Sequence, residues 1–300
     1  MPRNIIYIIN PISGSRPIKD LQPIIEKKTA AAKIPFLIFP SVASGDYSFL
    51  HSIIKEKKIT DIIIAGGDGT VSQVVSSLMD SNVSFGIIPS GSGNGLALTA
   101  KIPLATVKAL DIVFSGKATA IDGFYINGQF ACMLCGLGFD AKVAYDFAQQ
   151  SKRGLATYVK QVIKNFFTAK TYSFELQVGK GKMQTDAYFI SVANSNQFGN
   201  NFTIAPKACL NDGLLDIVIV TNQSKLSVLL ETFKQIRGKN KLQRGFISEN
   251  KKGVIYFQTD KLHIINHSQA PLHIDGDPSE TSPEFTISVK KKCFRLIQPA

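Results

Sequence analysis

Three glycines surround a carboxylate at Gly66-Gly67-Asp68-Gly69, and a hydroxyl follows at Thr70. The residues before them, Ile62-Ile63-Ile64-Ala65, are apolar, so a buried strand breaks into this turn. Such a turn has the chemistry of an anion site. Glycine lets backbone N–H groups approach a polyphosphate, a following helix N-terminus stabilises anionic oxygens, and Thr70 can cap that helix while donating to a phosphate. A carboxylate among phosphates makes sense when Mg2+ lies between them, which would employ Asp68. The same pattern also serves as a plain strand-to-helix turn with a structural aspartate. A second loop, Pro89-Ser90-Gly91-Ser92-Gly93-Asn94-Gly95, follows another apolar run. Its hydroxyls and glycines suit a phosphate or a ribose, and Asn94 could bind by its amide or cap the next helix. No Walker A sequence is present and no Gly-x-Gly-x-x-Gly follows the first apolar run, which disfavours ordinary P-loop and dinucleotide-oxidoreductase readings.

Another carboxylate, Asp275, ends an apolar run containing Leu272 and Ile274 and precedes Gly276. Held rigidly there, it could orient a hydroxyl and accept its proton; Asp-Gly is equally a hairpin turn. Cys132 and Cys135 have the spacing of a redox or zinc pair but sit in an apolar run without a second pair, so core packing is expected. His263, His267 and His273 fall on strand-like sequence where they could share a face. With no acidic or Cys partner at suitable spacing, they read as structural histidines.

The elements that must position these residues change character along the chain. Residues 4–10, 36–39, 61–65 and 85–89 read as strands, alternating with helical patterns at 18–32, 47–57 and 70–79. That rhythm predicts a parallel sheet, with both glycine loops at the carboxyl ends of strands, where open α/β sheets bind ligands. From about residue 121 strands dominate, at 121–126, 129–135, 172–178, 183–193, 214–220, 253–258, 261–266 and 271–274. Helical inserts are expected at 142–167 and 224–237. This half reads as a β-sandwich or barrel, and residues 284–296 form a last strand that is able to return to the first domain.

The chain has 300 residues and 34 Lys plus Arg against 22 Asp plus Glu, a formal charge of +12. Hydrophobic residues make up 44% and include 20 Phe, enough for two cores, which excludes a disordered chain. No segment reaches the ~20 apolar residues of a membrane-spanning helix. The N-terminus lacks the basic region and small-residue cleavage site of a signal peptide, and four cysteines are too few for a disulfide scaffold, so a reducing cytoplasm is the expected setting. The basic surplus admits nucleic acid, an anionic membrane face or phosphorylated ligands. It concentrates at 225–252, with eight Lys or Arg and two Glu, and again at 290–295. Leu226, Leu229, Leu230, Phe233 and Ile236 recur there at helical spacing, so the helix is expected to bury that stripe and show a basic end at 237–244.

Taken together, Asn10-Pro11-Ile12-Ser13-Gly14, Gly66-Gly67-Asp68-Gly69-Thr70 and Ser90-Gly91-Ser92-Gly93-Asn94 resemble the three successive nucleotide-site motifs of the diacylglycerol kinase catalytic-domain family, which includes bacterial lipid kinases and sphingosine kinases. The similarity continues through Cys135-Gly136-Leu137-Gly138-Phe139-Asp140-Ala141, Ile204-Ala205-Pro206-Lys207-Ala208, Asn211-Asp212-Gly213-Leu214-Leu215-Asp216 and Ile274-Asp275-Gly276-Asp277, nearly the whole chain in family order. The resemblance implies an N-terminal α/β nucleotide-binding domain with a parallel sheet (residues 1–120) and a C-terminal β-sandwich for the lipid (121–283), with the site in the cleft between them. The segment 284–300 is the one that could rejoin the first domain.

By the same resemblance, ATP would meet Asn10, Ser41, Gly66, Gly67, Asp68, Gly69, Thr70, Ser92 and Asn94. Asp275 would be the general base, with Asp68 helping to organise Mg2+. A structural Mg2+ would sit on Asp212 with the carbonyls of Cys209 and Leu214, and Asp216 would hydrogen-bond across the cleft. Asp277 stands where the family has Glu. The implied activity is an ATP-dependent lipid kinase acting on diacylglycerol, a sphingoid base or a related membrane alcohol, in the cytoplasm and peripherally on an anionic membrane. Nucleic acid is the least favoured partner, and the oligomeric state is open, a homodimer included. NAD kinases share the Gly-Gly-Asp-Gly motif, but the Asn-Glu pair they usually carry is absent here. A catalytically silent lipid- or nucleotide-binding regulator is the remaining alternative, kept open by Asp277.

Overall fold

The computed structural model describes residues 2–13, 21–150, 155–199, 202–243, 246 and 253–300. Gly14, the start of the helix expected from residue 18, Arg244 and most of the basic segment beyond it lie outside the described residues. The chain divides into two compact units, residues 1–121 with 292–300, and residues 122–291.

The first unit alternates β1 (Ile5–Ile9), α1 (Leu21–Ala31), β2 (Phe36–Pro40), α2 (Leu50–Glu56), β3 (Asp61–Gly66), α3 (Asp68–Leu78), a 3-10 turn at Met79–Ser81, β4 (Ser84–Pro89), α4 (Gly95–Thr99) and α5 (Thr106–Ser115). The sheet order is β2-β1-β3-β4, all parallel, and Arg295 and Leu296 add a parallel partner beside Ser84 and Phe85. Strands covered on both faces must be apolar throughout, which is why Ile5–Ile9 and Ile62, Ile63 and Ile64 are unbroken runs and fully buried. Helix α5 packs Leu110 and Val113 onto this core, against Ile63 and Ile297. Parallel pairing brings the carboxyl ends of β1, β3 and β4 to one edge of the sheet. The ladder runs on into the loops there: Asn10 N–H donates to the Ala65 carbonyl at 2.9 Å, Ser90 N–H to Gly66 at 3.0 Å and Ser41 N–H to Ile9 at 2.8 Å.

β5 (Lys117–Ile126) leads into the second unit, which continues with β6 (Gln129–Ala131), β7 (Leu134–Gly138), α6 (Phe139–Ala148), α7 (Leu155–Thr168), β8 (Tyr172–Val178), β9 (Gly181–Ala193), β10 (Leu215–Thr221), α8 (Lys225–Ile236), β11 (Val254–Thr259), β12 (Lys261–Asn266), β13 (Leu272–Ile274), β14 (Asp277–Ser279) and β15 (Glu284–Gln298). Its pairing is antiparallel in the order β14-β13-β7-β9-β8-β12-β15, with β10 on β9 and β11 on β10. The long β9 makes this possible: residues 181–187 pair with β8 and residues 189–193 with β7. Inward side chains from these strands, among them Phe124, Leu137, Phe174, Ile190, Ile217, Phe257 and Phe285, fill one core.

Several local expectations change. The strand expected at 129–135 breaks at Cys132 and Met133, because their N–H groups turn toward a side chain instead of a neighbouring strand. The insert expected at 142–167 is two helices, α6 and α7. The stripe on α8 is not buried: Leu226, Leu229, Leu230 and Phe233 are exposed, and the helix turns Val228 and Gln235 inward. Gln235 is accepted in the interior because its side-chain amide donates to the Ile204 carbonyl at 2.8 Å.

Candidate active site

In the first unit the three motif loops meet at the carboxyl edge of the sheet. Asn10, just past β1, donates through Nδ2 to the Thr70 hydroxyl at 2.8 Å and accepts the Ile12 N–H through Oδ1 at 3.0 Å. The hydroxyls of Ser13 and Ser90 lie 2.9 Å apart, joining the first loop to the third. Asp68 of the middle loop accepts the N–H of Gly95 at 2.9 Å and of Leu96 at 3.3 Å, and so caps α4. The sequence points to Asp68, Thr70, Asn10, Asn94 and the hydroxyls of the second glycine loop, Ser90 among them, but assigns no role to Ser13.

Two capping roles are redistributed. Helix α3 begins at Asp68, so Thr70 lies inside its first turn, buried, instead of capping it; Gly67 holds the cap position. Asn94 does not cap α4 with its side chain. It adopts a left-handed φ of 53°, and its amide closes on Gly91, accepting the Gly91 N–H and donating to the Gly91 carbonyl, both at 2.8 Å. This amide clasp sets the shape of the loop that carries Ser92.

Glycine is required where the loops touch. A Cβ on Gly91 would lie 2.4 Å from the Gly67 Cα, so the first and second glycine loops are in backbone contact. A Cβ on Gly66 would meet the Thr70 Cβ at 2.8 Å. The result is a packed rim of glycine, serine and asparagine around the start of α3, whose first N–H groups carry the partial positive charge that stabilises an anion. Ser41 is tied by its backbone to the end of β1 beside Asn10.

In the second unit Asp275 and Gly276 form the two-residue turn between β13 and β14, with φ of 49° and 88°. Two positive φ values are what a tight hairpin of right-handed twist needs, and Asp-Gly supplies them readily. The turn does not leave the aspartate in solvent. Asp275 is buried, and its carboxylate accepts the N–H groups of Cys132, Met133 and Leu134, each at 3.0 Å. The break between β6 and β7 is therefore a three-amide cradle. Behind it Asn194, fully buried after β9, donates to the carbonyls of Cys132 and Asp122 at 3.0 and 2.9 Å, and its own N–H reaches the Met133 carbonyl. Asn194 carried no sequence signal beyond a polar residue ending an apolar strand. Cys132 thus serves the cradle as well as the core, its thiol 3.7 Å from the Asp275 carboxylate. Burial pushes the Cys135 thiol well up, with the Asp275 and Asp140 carboxylates adding to it.

The histidines separate. His273 is buried on β13 with Nε2 3.4 Å from Asp140, an acidic partner that sequence spacing did not reveal, while His263 faces Glu284 and His267 is exposed. Burial raises the Asp140 carboxyl despite its contact with His273. The pair occupies the space a side chain at position 136 would need: a Cβ on Gly136 would come within 2.0 Å of Asp140.

The loop before β10 gathers acidic groups. Asp212 accepts the Leu214 N–H at 3.0 Å, and Asp122, fully buried, accepts the Gly213 N–H at 2.7 Å. Burial, followed by the Asp122 charge, raises the Asp212 carboxyl. Two carboxylates, Asp212 on the turn and Asp122 reaching it from β5, supply oxygen donors of the kind that suits a hard cation such as Mg2+. Among the described residues no group of three or more His, Cys, Asp or Glu is placed to hold a metal. Asp216 is held on β10 by its neighbour strand: Tyr256 and Gln258 of the adjacent β11 donate to its two oxygens, and burial pushes its carboxyl up to about 6.

Residues 4–126 match the diacylglycerol kinase catalytic domain, and residues 134–298 match the YegS C-terminal NAD kinase beta sandwich-like domain. The chain is 30% identical over 239 residues to "Probable lipid kinase YegS-like" of Yersinia enterocolitica, covering 77% of this chain and 76% of that protein. It is 25% identical over 275 residues to "Diacylglycerol kinase" of Bacillus subtilis, covering 90% and 88%. Among solved structures, a diacylglycerol kinase from Bacillus anthracis superposes with a TM-score of 0.72 at 20% identity, over 99% of this chain and 97% of that one. At that identity the likeness speaks for the fold.

Proposed function

Because the chain belongs to the diacylglycerol kinase catalytic-domain family, whose domain is followed here by a YegS-type C-terminal sandwich, we propose that it transfers the γ-phosphoryl group of ATP to the hydroxyl of a membrane lipid. The acceptor would be diacylglycerol, a sphingoid base or a related membrane alcohol. The observation that carries the reading is the convergence of Asn10, the Gly66 to Thr70 turn and the Ser90 to Asn94 loop at one sheet edge, joined by the Asn10–Thr70, Ser13–Ser90 and Asp68–Gly95 contacts.

In this reading the glycine loops and the N-terminus of α3 hold the ATP phosphates, with Ser92, Asn94 and Ser41 on the nucleotide. Phosphoryl transfer makes few covalent demands on a protein, so positioning and charge stabilisation supply most of the rate. Asp275, fixed by three N–H donors, would orient the lipid hydroxyl and take its proton as the oxygen bonds to phosphorus and the bond to ADP breaks. Mg2+ accompanying ATP would spread the developing negative charge, with Asp68 beside it. A structural Mg2+ would be held by Asp212 and the carbonyls of Cys209 and Leu214, where it would neutralise the Asp122–Asp212 charge.

The direct test is incubation with radiolabelled ATP and a panel of lipids, with NAD alongside. Label in a lipid phosphate is expected. Label in NADP would replace the lipid reading with an NAD kinase, and ATP binding without transfer to any acceptor would leave a regulator.

A further inference from the structure

Helix α8 exposes the wrong face for a core helix. Val228 and Gln235, seven residues apart, are buried on one side. Leu226, Leu229, Leu230 and Phe233 follow the i, i+3, i+4, i+7 spacing on the opposite side and are 68%, 52%, 55% and 52% exposed. Four large apolar side chains more than half exposed on one helix form a contiguous patch, not scattered surface leucines.

The helix is also anchored and charged. At its start the Lys225 ammonium donates to the carbonyls of Phe166 and Ala169 at 2.9 and 2.6 Å, closing the C-terminus of α7, and lies over the rings of Phe166 and Tyr188. Phe167, within that anchored turn, is 75% exposed and extends the apolar surface. At the other end Arg237 stacks on Phe233 with its guanidinium 4.0 Å from the ring, and Lys239 and Lys241 are exposed just beyond. Residues 225–241 hold five Lys or Arg and one Glu.

The geometry points to α8 as the face that enters a bilayer carrying anionic headgroups: Leu226, Leu229, Leu230 and Phe233 insert at the level of the acyl boundary, and Arg237, Lys239 and Lys241 sit among the phosphates. A short amphipathic helix with an apolar face and cations beside it lies in the interface instead of spanning it, and among the described residues no helix is long and apolar enough to cross. A second copy of the chain is the weaker occupant, because pairing α8 with itself brings like-charged ends together on a protein of charge +12. A kinase of a bilayer alcohol, the reading on which this surface rests for its purpose, has to meet its substrate at the membrane.

The chain contains no tryptophan, so Leu230→Trp introduces a single reporter. Its emission is expected to shift to the blue on adding vesicles of phosphatidylglycerol and phosphatidylcholine at low salt, to stay put with phosphatidylcholine alone, and to return at high salt. In sedimentation with the same anionic vesicles, the triple variant Leu229→Gln/Leu230→Gln/Phe233→Ser should lose about tenfold in partitioning, and Lys239→Glu/Lys241→Glu a comparable amount. Both variants change exposed side chains and should unfold at the wild-type temperature. No blue shift with either vesicle, or wild-type partitioning by the triple variant, overturns the membrane face. A wild-type dimer that the triple variant converts to monomer in analytical ultracentrifugation overturns it in favour of a second copy. Phosphorylation of detergent-dispersed lipid is measured in parallel: if the vesicle results hold and no lipid is phosphorylated, the surface stands and the lipid-kinase reading falls. If lipid is phosphorylated and the vesicle results fail, the reverse follows.

Discussion

The Asp68 carboxylate accepts the backbone N–H of Gly95 at 2.9 Å, so the aspartate of one glycine loop caps the helix that follows the other. The two loops are thereby tied together, and Asp68 combines a structural duty with the metal-organising one proposed for it. Asp68→Ala removes the cap and should lower stability by about 1 kcal/mol. Asp68→Asn keeps an oxygen for Gly95 and should cost less, yet it removes the charge. If the charge serves Mg2+-bound ATP, both variants lose turnover alike while differing in denaturant midpoint. Full turnover in Asp68→Asn would leave the cap as the residue's whole role.

The approach of the loops makes a second test purely steric. At Gly91 an added Cβ would lie 2.4 Å from the Gly67 Cα, backbone against backbone, with no flexible side chain to yield. Gly91→Ala should therefore spread the two loops and weaken ATP binding by at least about tenfold in calorimetry, a loss of roughly 1.4 kcal/mol. Gly128→Ala is a useful contrast: a Cβ there meets nothing within 4 Å, although its φ of 85° strains any side chain. It should reduce stability without touching ATP affinity.

What the sequence disclosed and what it hid follow from the range of the interactions. Strands such as Ile5–Ile9 and Ile62 to Ala65 are legible because burial on both faces forces unbroken apolar runs. The glycine loops are legible because close backbone approach admits no side chain. The partner of each polar group was not, since Asp68 with Gly95, Asp275 with Cys132 and His273 with Asp140 are contacts between distant segments with no local pattern. The face of α8 was misread for a related reason: periodicity identifies an apolar stripe but cannot say what covers it, and here a glutamine bonded to the Ile204 carbonyl takes the inner position.

On the proposed reading, Asp275 serves both the chemistry and the fold. An amide in its place offers one acceptor oxygen where the carboxylate offered two, so at least one of the N–H groups of Cys132, Met133 and Leu134 would face an NH2 group. Asp275→Asn should lose about 1–3 kcal/mol of stability from the stranded donor. Because asparagine tolerates the left-handed φ of 49°, the hairpin itself should persist. ATP affinity, measured separately, is expected to stay at the wild-type value while turnover falls about a hundredfold or more. Turnover near wild type would remove Asp275 from the base role and leave it as the clamp of the β6–β7 break.

The raised carboxyl of Asp216 predicts a pH dependence of stability. Burial is the main cause, and the hydrogen bonds from Gln258 and Tyr256 offset only part of it, leaving the group near pH 6 in the folded protein against 3.8 in its ordinary state. A raised folded value means that the native state holds this proton more tightly than the unfolded chain. Its contribution is therefore fully present below about pH 4 and is lost as pH rises through about 6, a loss of at most about 3 kcal/mol. Asp212 and Asp140 are raised as well and act in the same direction, so the informative quantity is the difference between wild type and Asp216→Asn. The asparagine can still accept from Tyr256 and has no charge to bury. Denaturant unfolding from pH 4 to pH 7.5 should show a shallower decline for the variant and a higher stability at pH 7.5. Parallel curves would mean that Asp216 ionises without cost in the folded protein, and that its network with Tyr256 and Gln258 solvates the charge as well as water does.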